Sequence, residues 1–243
     1  MRFDIMTLFP DLVDGVLKES IIGRAQKSGA TEINTYNIRD YSEDIHRRVD
    51  DTPYGGGMGM LMAAPPIYNC YRAVLDSQVK DGFDGRRRVI YMSPAGRVLT
   101  QKYAEELAAS YDNIIILCGH YEGVDRRIVD EIVDEELSIG NYVLTGGEIP
   151  ACILVDCVAR LTEGVLSAAE CHENESISSG LLEYPQYTRP VEFHGARVPD
   201  VLLSGNHAKI EEWRKSAALE LTQRLRPDLL EGLGDGNDKE ESK

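Results

Sequence analysis

The amino-acid sequence predicts an α/β fold built on a mainly parallel sheet, followed by a small, mostly helical domain. Three observations carry this. Two short, mostly apolar runs, residues 88–93 and Asn113–Cys118, have the composition of strands buried on both faces. Stretches with helical periodicity alternate with such runs over the first 160 residues. Glycine-bearing segments follow directly on the runs, at the ends where open α/β sheets bind ligands.

Each element follows from its own pattern. Residues 3–8 and 32–38 read as strands. Leu12, Val13, Val16 and Leu17 repeat at helical spacing, so residues 11–28 read as one amphipathic helix. Residues 100–110 and 125–134 read as helices, and residues 142–145 as a short strand. Pro150 is placed to open an apolar helix reaching about residue 161. The character changes near Gly164. Residues 167–180 are small, polar and aperiodic, which reads as a flexible linker. Asn206 suits an N-cap, and the helix after it would bury Ile210, Trp213, Ala217, Leu221 and Leu225. The expected organisation is a catalytic-type α/β domain over 1–166, the linker, a helical domain over 181–231 and a disordered acidic tail over 232–243. No internal repeat is visible.

Composition sets the limits. At 243 residues, 42% hydrophobic and 28% charged, the chain has enough apolar residues for a real core. No apolar run approaches the ~18–20 residues of a membrane helix. Asp4, Asp11 and Asp14 interrupt any signal-peptide pattern, so a cytoplasmic location is expected. Cys70, Cys118, Cys152, Cys157 and Cys171 are scattered without a C-x-x-C pair, which reads as buried, reduced thiols and excludes a zinc quartet. The net charge of −15 argues against a nucleic-acid partner if taken alone. Its distribution argues otherwise: residues 209–226 hold five bases against three acids, while residues 228–243 hold six acids against two lysines.

Several motifs could carry chemistry. Residues 50–60, D-D-T-P-Y-G-G-G-M-G-M, lack the G-K-[ST] of a phosphate loop, and the neighbouring His46, Arg47 and Arg48 tilt them toward an anionic or planar ligand. S-P-A-G-R (93–97), C-G-H-Y-E-G-V-D (118–125) and S-I-G-N-Y-V-L-T-G-G-E-I-P (138–150) each follow strand-like runs. Together they suggest one pocket, although each alone is ordinary turn chemistry. Arg160, near the end of an apolar helix, could pair with Asp156 or serve a site. The segment L-L-E-Y-P-Q-Y-T-R-P (181–190) suits RNA stacking, or equally a rigid docking strand. The histidines 46, 120, 172, 194 and 207 form no metal or triad spacing, and no G-x-S-x-G is present.

In this order, the motifs V-D-D-x-P-Y-G-G-G-x-G-M, S-P-x-G-R, C-G-x-Y-E-G, I-G-x-Y-V-L-x-G-G-E-x-P-A, G-L-L-x-x-P-x-Y-T-R-P and L-L-S-G-N-H-A-x-I-x-x-W-R resemble those of bacterial tRNA (guanine-N1)-methyltransferases. The resemblance covers about residues 1–230. It implies a SPOUT fold whose sheet ends in a deep trefoil knot, and a homodimer with each site at the subunit interface. It also implies methyl transfer from S-adenosyl-L-methionine to N1 of the tRNA guanosine just 3′ of the anticodon.

Carried over by motif, the resemblance implies cosubstrate contacts at Tyr91, Ser93, Pro94, Gly119, Tyr121 and Glu122. It extends them to Ile139, Gly140, Asn141, Tyr142, Val143, Leu144, Gly146, Gly147 and Pro150. Asp50 with Gly55, Gly56, Gly57, Met58, Gly59 and Met60 would shape the guanine pocket, and Arg189, Lys209, Arg214 and Lys215 would touch the tRNA. Guanine N1 is protonated at neutral pH, so the chemistry needs a carboxylate base and a cation near O6. The family arginine maps onto Arg160. The family's basic aspartate is replaced by Glu175, with Glu173 and Glu183 as alternatives. His120 stands where the family often has arginine, and no catalytic role is assigned to it. Magnesium dependence is also implied, with Asp50, Glu122, Glu175 and Glu183 as carboxylates but no ligand cluster that defines a site. Two other readings stay open: a knotted RNA-binding module impaired in catalysis, and a SPOUT enzyme acting on another RNA.

Overall fold

The computed structural model describes residues 1–166 and 180–230, and the chain divides into two compact units, Met1–Ser167 and Ala168–Lys243. The linker expected over 167–180 and the tail over 232–243 lie almost wholly outside the described residues, as do Cys171, His172, Glu173 and Glu175.

The first unit is a five-stranded sheet flanked by helices. Its strands are β1 (Arg2–Thr7), β2 (Glu32–Asn37), β5 (Arg87–Val98), β6 (Asn113–Cys118) and β7 (Glu135–Ser138), in the order β2-β1-β6-β5-β7 with every pair parallel. A separate two-stranded ribbon pairs β3 (Asp50–Asp51) with β4 (Leu61–Met62). The sheet is buried on both faces, as its apolar runs require. Ile114, Ile116 and Cys118 of β6 face a core completed by α1 (Pro10–Leu17), α2 (Ser20–Ser28), α4 (Gln101–Ser110) and α6 (Glu148–Ala159). Ile115 and Leu117 face the opposite core, shared with α3 (Ala64–Lys80) and α5 (Arg126–Ile132). The alternation along one strand thus divides the two cores.

Four elements differ from the sequence reading. The single helix expected over 11–28 is two helices. Ser20 takes φ +51°, and Gly23 lies so close to the turn that a Cβ there would come 2.0 Å from the Lys18 carbonyl oxygen. The strand expected to end at Ser93 continues to Val98 through a bulge, where Met92 and Arg97 both pair with Leu137. The Ser93–Arg97 motif is therefore part of β5 and not a loop after it. Residues 142–145 are not a strand. They have strand-like composition but make no ladder, and Val143 is 84% exposed. Helix α6 starts two residues before Pro150, at Glu148.

One buried polar cluster sits at the amino ends of the strands. The Asp4 carboxylate is fully buried and accepts from Arg2 Nε (3.0 Å), Gln78 Nε2 (2.7 Å), Asn113 Nδ2 (2.7 Å) and Asn34 Nδ2 (3.1 Å). It joins β1, β2, β6 and α3, and so specifies which strands are neighbours.

The second unit is described over 180–230. A hairpin of β8 (Glu192–Phe193) and β9 (Ala196–Arg197) precedes the short α7 (Asp200–Leu203) and the long α8 (His207–Leu225). Asn206 caps α8, its Oδ1 accepting from the Lys209 N–H at 3.2 Å. Of the expected stripe, Ile210, Trp213, Ala217 and Leu221 are half-buried, and the fully buried positions are shifted by one residue. Ala218 and Thr222 are buried, whereas Leu225 is 57% exposed. Thr222 Oγ1 explains the shift: it accepts the Leu182 N–H at 2.9 Å and donates to the Ala218 carbonyl at 2.7 Å.

Replacing Asp4 by Ala removes the charged acceptor shared by Arg2, Gln78, Asn113 and Asn34, which keep only their bonds to Asp81, the Asn113 Oδ1, the Arg2 carbonyl and Glu32. A loss of about 3–5 kcal/mol in urea unfolding is expected. A loss below about 1 kcal/mol, the range of a surface pair, would show that the cluster does not hold the strands.

Candidate active site

The carboxyl ends of β5, β6 and β7 open into a cavity of about 340 Å³. Tyr91, Ser93 and Pro94 of β5 form one wall, Gly119 to Gly123 after β6 the second, and Ile139 to Gly146 after β7 the third, with Pro150 of α6 beneath. All the residues expected to hold a cosubstrate line it except Asn141 and Gly147. Leu137, Ser138, His120, Gly123 and Thr145 line it as well; all but Leu137 belong to the motifs read as one pocket, but none of the five was assigned to the cosubstrate.

The walls meet through backbone. The Gly147 N–H donates to the Gly119 carbonyl at 2.9 Å, and a Cβ at Gly147 would lie 2.8 Å from Cys118 Cα. Gly140 takes φ +150° with the Tyr142 ring against it, within 2.5 Å of any added Cβ. Tyr121 sits at φ +60°, a cost of order 1–3 kcal/mol in a non-glycine residue. Its hydroxyl lies 3.5 Å from an Arg39 guanidinium nitrogen.

The glycine-rich loop is fastened to the same cavity. The Glu122 N–H donates to the Met60 carbonyl (3.0 Å), and the Met62 N–H to the Gly123 carbonyl (2.9 Å). Gly59, at φ +92°, rests on the Glu122 side chain, whose Cγ would be 2.4 Å from an added Cβ. Gly55, Gly56 and Gly57 also have positive φ, and Met58 is 93% exposed at the tip. Asp50 is half-buried in β3 at the base of this loop.

Beneath the cavity lies a buried acid the sequence reading did not single out. Glu148 is 3% exposed, and its carboxylate lies 2.8 Å from His120 Nε2 and accepts from Thr7 Oγ1 at 2.7 Å. An acid at the first turn of an apolar helix was the available signal. Burial pushes up the Tyr91 hydroxyl and the Cys118 and Cys152 thiols, with the Glu148 charge adding to both thiols; Cys152 reaches about 11.

Arg160 caps the far end of α6, half-buried. It follows Pro150 by ten residues, ~15 Å along the helix at 1.5 Å per residue, and is not among the residues that line the cavity. In the second unit, Arg189, Lys209 and Lys215 are exposed. Arg214 is spent inside the unit, bonded to Glu211 at 2.6 Å and stacked on Tyr184 at 4.9 Å. Among the described residues no group of three or more His, Cys, Asp or Glu is placed to hold a metal ion, and no helix is long and apolar enough to cross a membrane.

The family model for tRNA (guanine-1)-methyltransferase TrmD matches residues 1–232. The chain belongs to this family. Curated relatives agree over nearly the full length. The tRNA (guanine-N(1)-)-methyltransferase of Ruminiclostridium cellulolyticum is 54% identical over 237 residues, covering 98% of this chain and 99% of its own. Those of Lachnospira eligens (53%, covering 95% of each) and Geobacter sulfurreducens (54%, covering 95% of this chain and 91% of its own) are similar. The chain is therefore a methyltransferase that uses S-adenosyl-L-methionine and modifies tRNA at guanine N1.

The thiols give a pH dependence. A thiol raised in the fold to about 11 from 9.0 resists ionisation when folded. Its contribution is complete below pH 9, and stability falls as pH rises from about 9 to 11. Urea midpoints from pH 8 to 11 should show that decline, and a Cys152→Ala variant should show a shallower one.

Proposed function

We propose that this tRNA (guanine-N1)-methyltransferase binds S-adenosyl-L-methionine in the cavity at the ends of β5, β6 and β7, and methylates the guanosine 3′-adjacent to the anticodon. The observation that carries the reading is the convergence of three glycine-bearing segments on one cavity of about 340 Å³, within the usual size of small-molecule sites. The residues fit the group. Main-chain N–H and C=O groups can read an adenine edge, and the bulge of β5 with the Ile139–Leu144 segment leaves room for a bent ligand. When bound, S-adenosyl-L-methionine supplies the methyl group on an electrophilic sulfonium.

This chain's residues do the rest. Glu175 accepts the N1 proton of guanine, which makes N1 nucleophilic. Arg160 holds the negative charge that develops on O6. The loop 55–60 and Asp50 hold the base against the Glu122 wall. Because Arg160 lies ~15 Å along α6 from the cavity floor, the arginine of one subunit serves the cavity of its partner, and the active unit is a homodimer. The apolar faces of α1 and α6 support this: Phe9, Leu12 and Val16 are half exposed beside Ile149 and Ile153, and α1 packs along α6.

The SPOUT knot accompanies this reading. The chain leaves β7 at the edge of the sheet and passes tightly over the end of β6 before α6, which packs against β1 and β6. Residues 167–180 act as the linker that carries Glu175. Residues 181–231 bind tRNA through Arg189, Lys209 and Lys215, with Arg214 supporting the fold as well. Magnesium dependence remains part of the proposal without an assigned site. The enzyme works in the cytoplasm, where its substrate is.

Labelled S-adenosyl-L-methionine and two tRNA transcripts test the activity. Label should enter the transcript with guanosine 3′ of the anticodon and not its twin with adenosine there. Equal labelling of both, or of neither, removes the proposed position. Glu175→Gln should lower single-turnover transfer by about 100-fold or more with cosubstrate affinity kept. Transfer near wild type would hand the base to Glu173 or Glu183. Ile153→Glu should yield monomers in analytical ultracentrifugation and abolish transfer. An active monomer would refute the shared site.

A further inference from the structure

Glu148 opens α6 as an acid in an apolar setting, and both its oxygens are engaged. Thr7 Oγ1 donates to Oε1 at 2.7 Å, and His120 Nε2 meets Oε2 at 2.8 Å. Thr7 Oγ1 in turn accepts the Phe9 N–H at 2.9 Å. The His120–Glu148 hydrogen bond places one ring nitrogen directly on the carboxylate. Three segments distant in sequence therefore meet on one side chain: the end of β1, the loop after β6 and the start of α6.

The loop after β7 lies directly on this junction. A Cβ at Gly146 would come 2.2 Å from His120 Nε2 and 2.6 Å from Glu148 Oε2. The His120 ring is itself held from behind by Phe9, with ring centres 4.9 Å apart. His120 and Gly146 both line the cavity. Moving either partner of Glu148 leaves a buried carboxylate short of a donor, and the wall above it must shift.

We infer that Thr7, Glu148 and His120 form a positioning element that sets the spacing of the two cavity loops and thereby the affinity for S-adenosyl-L-methionine. The guanine-side loop is fastened by the main-chain bonds of Glu122 and Met62 and by the His120 N–H to Met62 Sδ at 3.2 Å, none of which uses the His120 ring or Thr7, so changes at those two side chains fall first on the cosubstrate. The inference rests on the reading of this cavity as the cosubstrate site.

Calorimetric titration of S-adenosyl-L-methionine into the full-length protein tests it, with thermal melting of each variant. Thr7→Val and His120→Ala should each weaken binding about tenfold. The cosubstrate KM should rise equally, while kcat at saturation falls less than about threefold. Thr7→Ser and His120→Gln restore a donor at similar reach and should recover most of the affinity. The Thr7→Val/His120→Ala double variant should lose less than the product of the two, because both act through Glu148.

Folded Thr7→Val and His120→Ala proteins that bind within about twofold of wild type overturn the inference. So does a loss that Ser and Gln fail to rescue, since that is a purely structural effect. Gly140→Ala separates the two levels. If it too binds normally, the cavity is not the cosubstrate site and both readings fall. If it loses binding while Thr7→Val and His120→Ala keep it, the cavity stands and the positioning role alone fails.

Discussion

The close approach of Gly147 to the end of β6 is the constraint on which the site depends. Its N–H bonds the Gly119 carbonyl at 2.9 Å, and the space where a side chain would stand is filled by Cys118 backbone. That contact draws the chain back from the sheet edge after β7 and delivers it to the start of α6. It puts two loops of different origin side by side as cavity walls. It also seats α6 against β1 and β6, where its apolar face completes one core. A bulkier residue at 147 would part the walls and unseat the helix together, so cavity and core share one steric condition.

A second arrangement concerns charge. The chain carries a net −15, yet acids at its centre are satisfied individually and not collectively. Asp4 gathers donors from four elements at the amino ends of the strands, and Glu148 gathers Thr7 and His120 near the carboxyl ends. The two buried acids lie near opposite ends of β1, one specifying strand neighbours and the other meeting the functional face.

The distribution of roles along α6 follows from helix geometry. Pro150 lies under the cavity and Arg160 closes the other end, ~15 Å away. Arg160 does not line the cavity of its own chain. The proposed sharing of active sites between two subunits is consistent with this spacing, and α1 and α6 each carry half-exposed apolar residues.

Most of the strand order of events was legible in the sequence. Asn113–Cys118 was delimited exactly as folded because six consecutive residues suited to burial on both faces leave little else to form. The glycine-bearing motifs marked three of the cavity walls, since glycine is needed wherever backbone meets backbone or φ is positive. Other features were invisible along the chain. The break at Ser20 depends on how Gly23 meets the Lys18 carbonyl. Residues 142–145 carry strand-like side chains but find no ladder, so they line a cavity instead. The burial of Thr222 in place of Leu225 follows from one hydrogen bond to Leu182, forty residues earlier. The pairing of Thr7, His120 and Glu148 needs three segments brought together by the sheet. Local pattern and composition by themselves determined the α/β class and the approximate positions of β1, β2, β5 and β6, and the ordered motifs pointed to the family, while β7 was not foreseen. Tertiary structure alone decided which polar groups meet, because hydrogen bonds between distant segments exist only once burial has excluded water and brought them within reach.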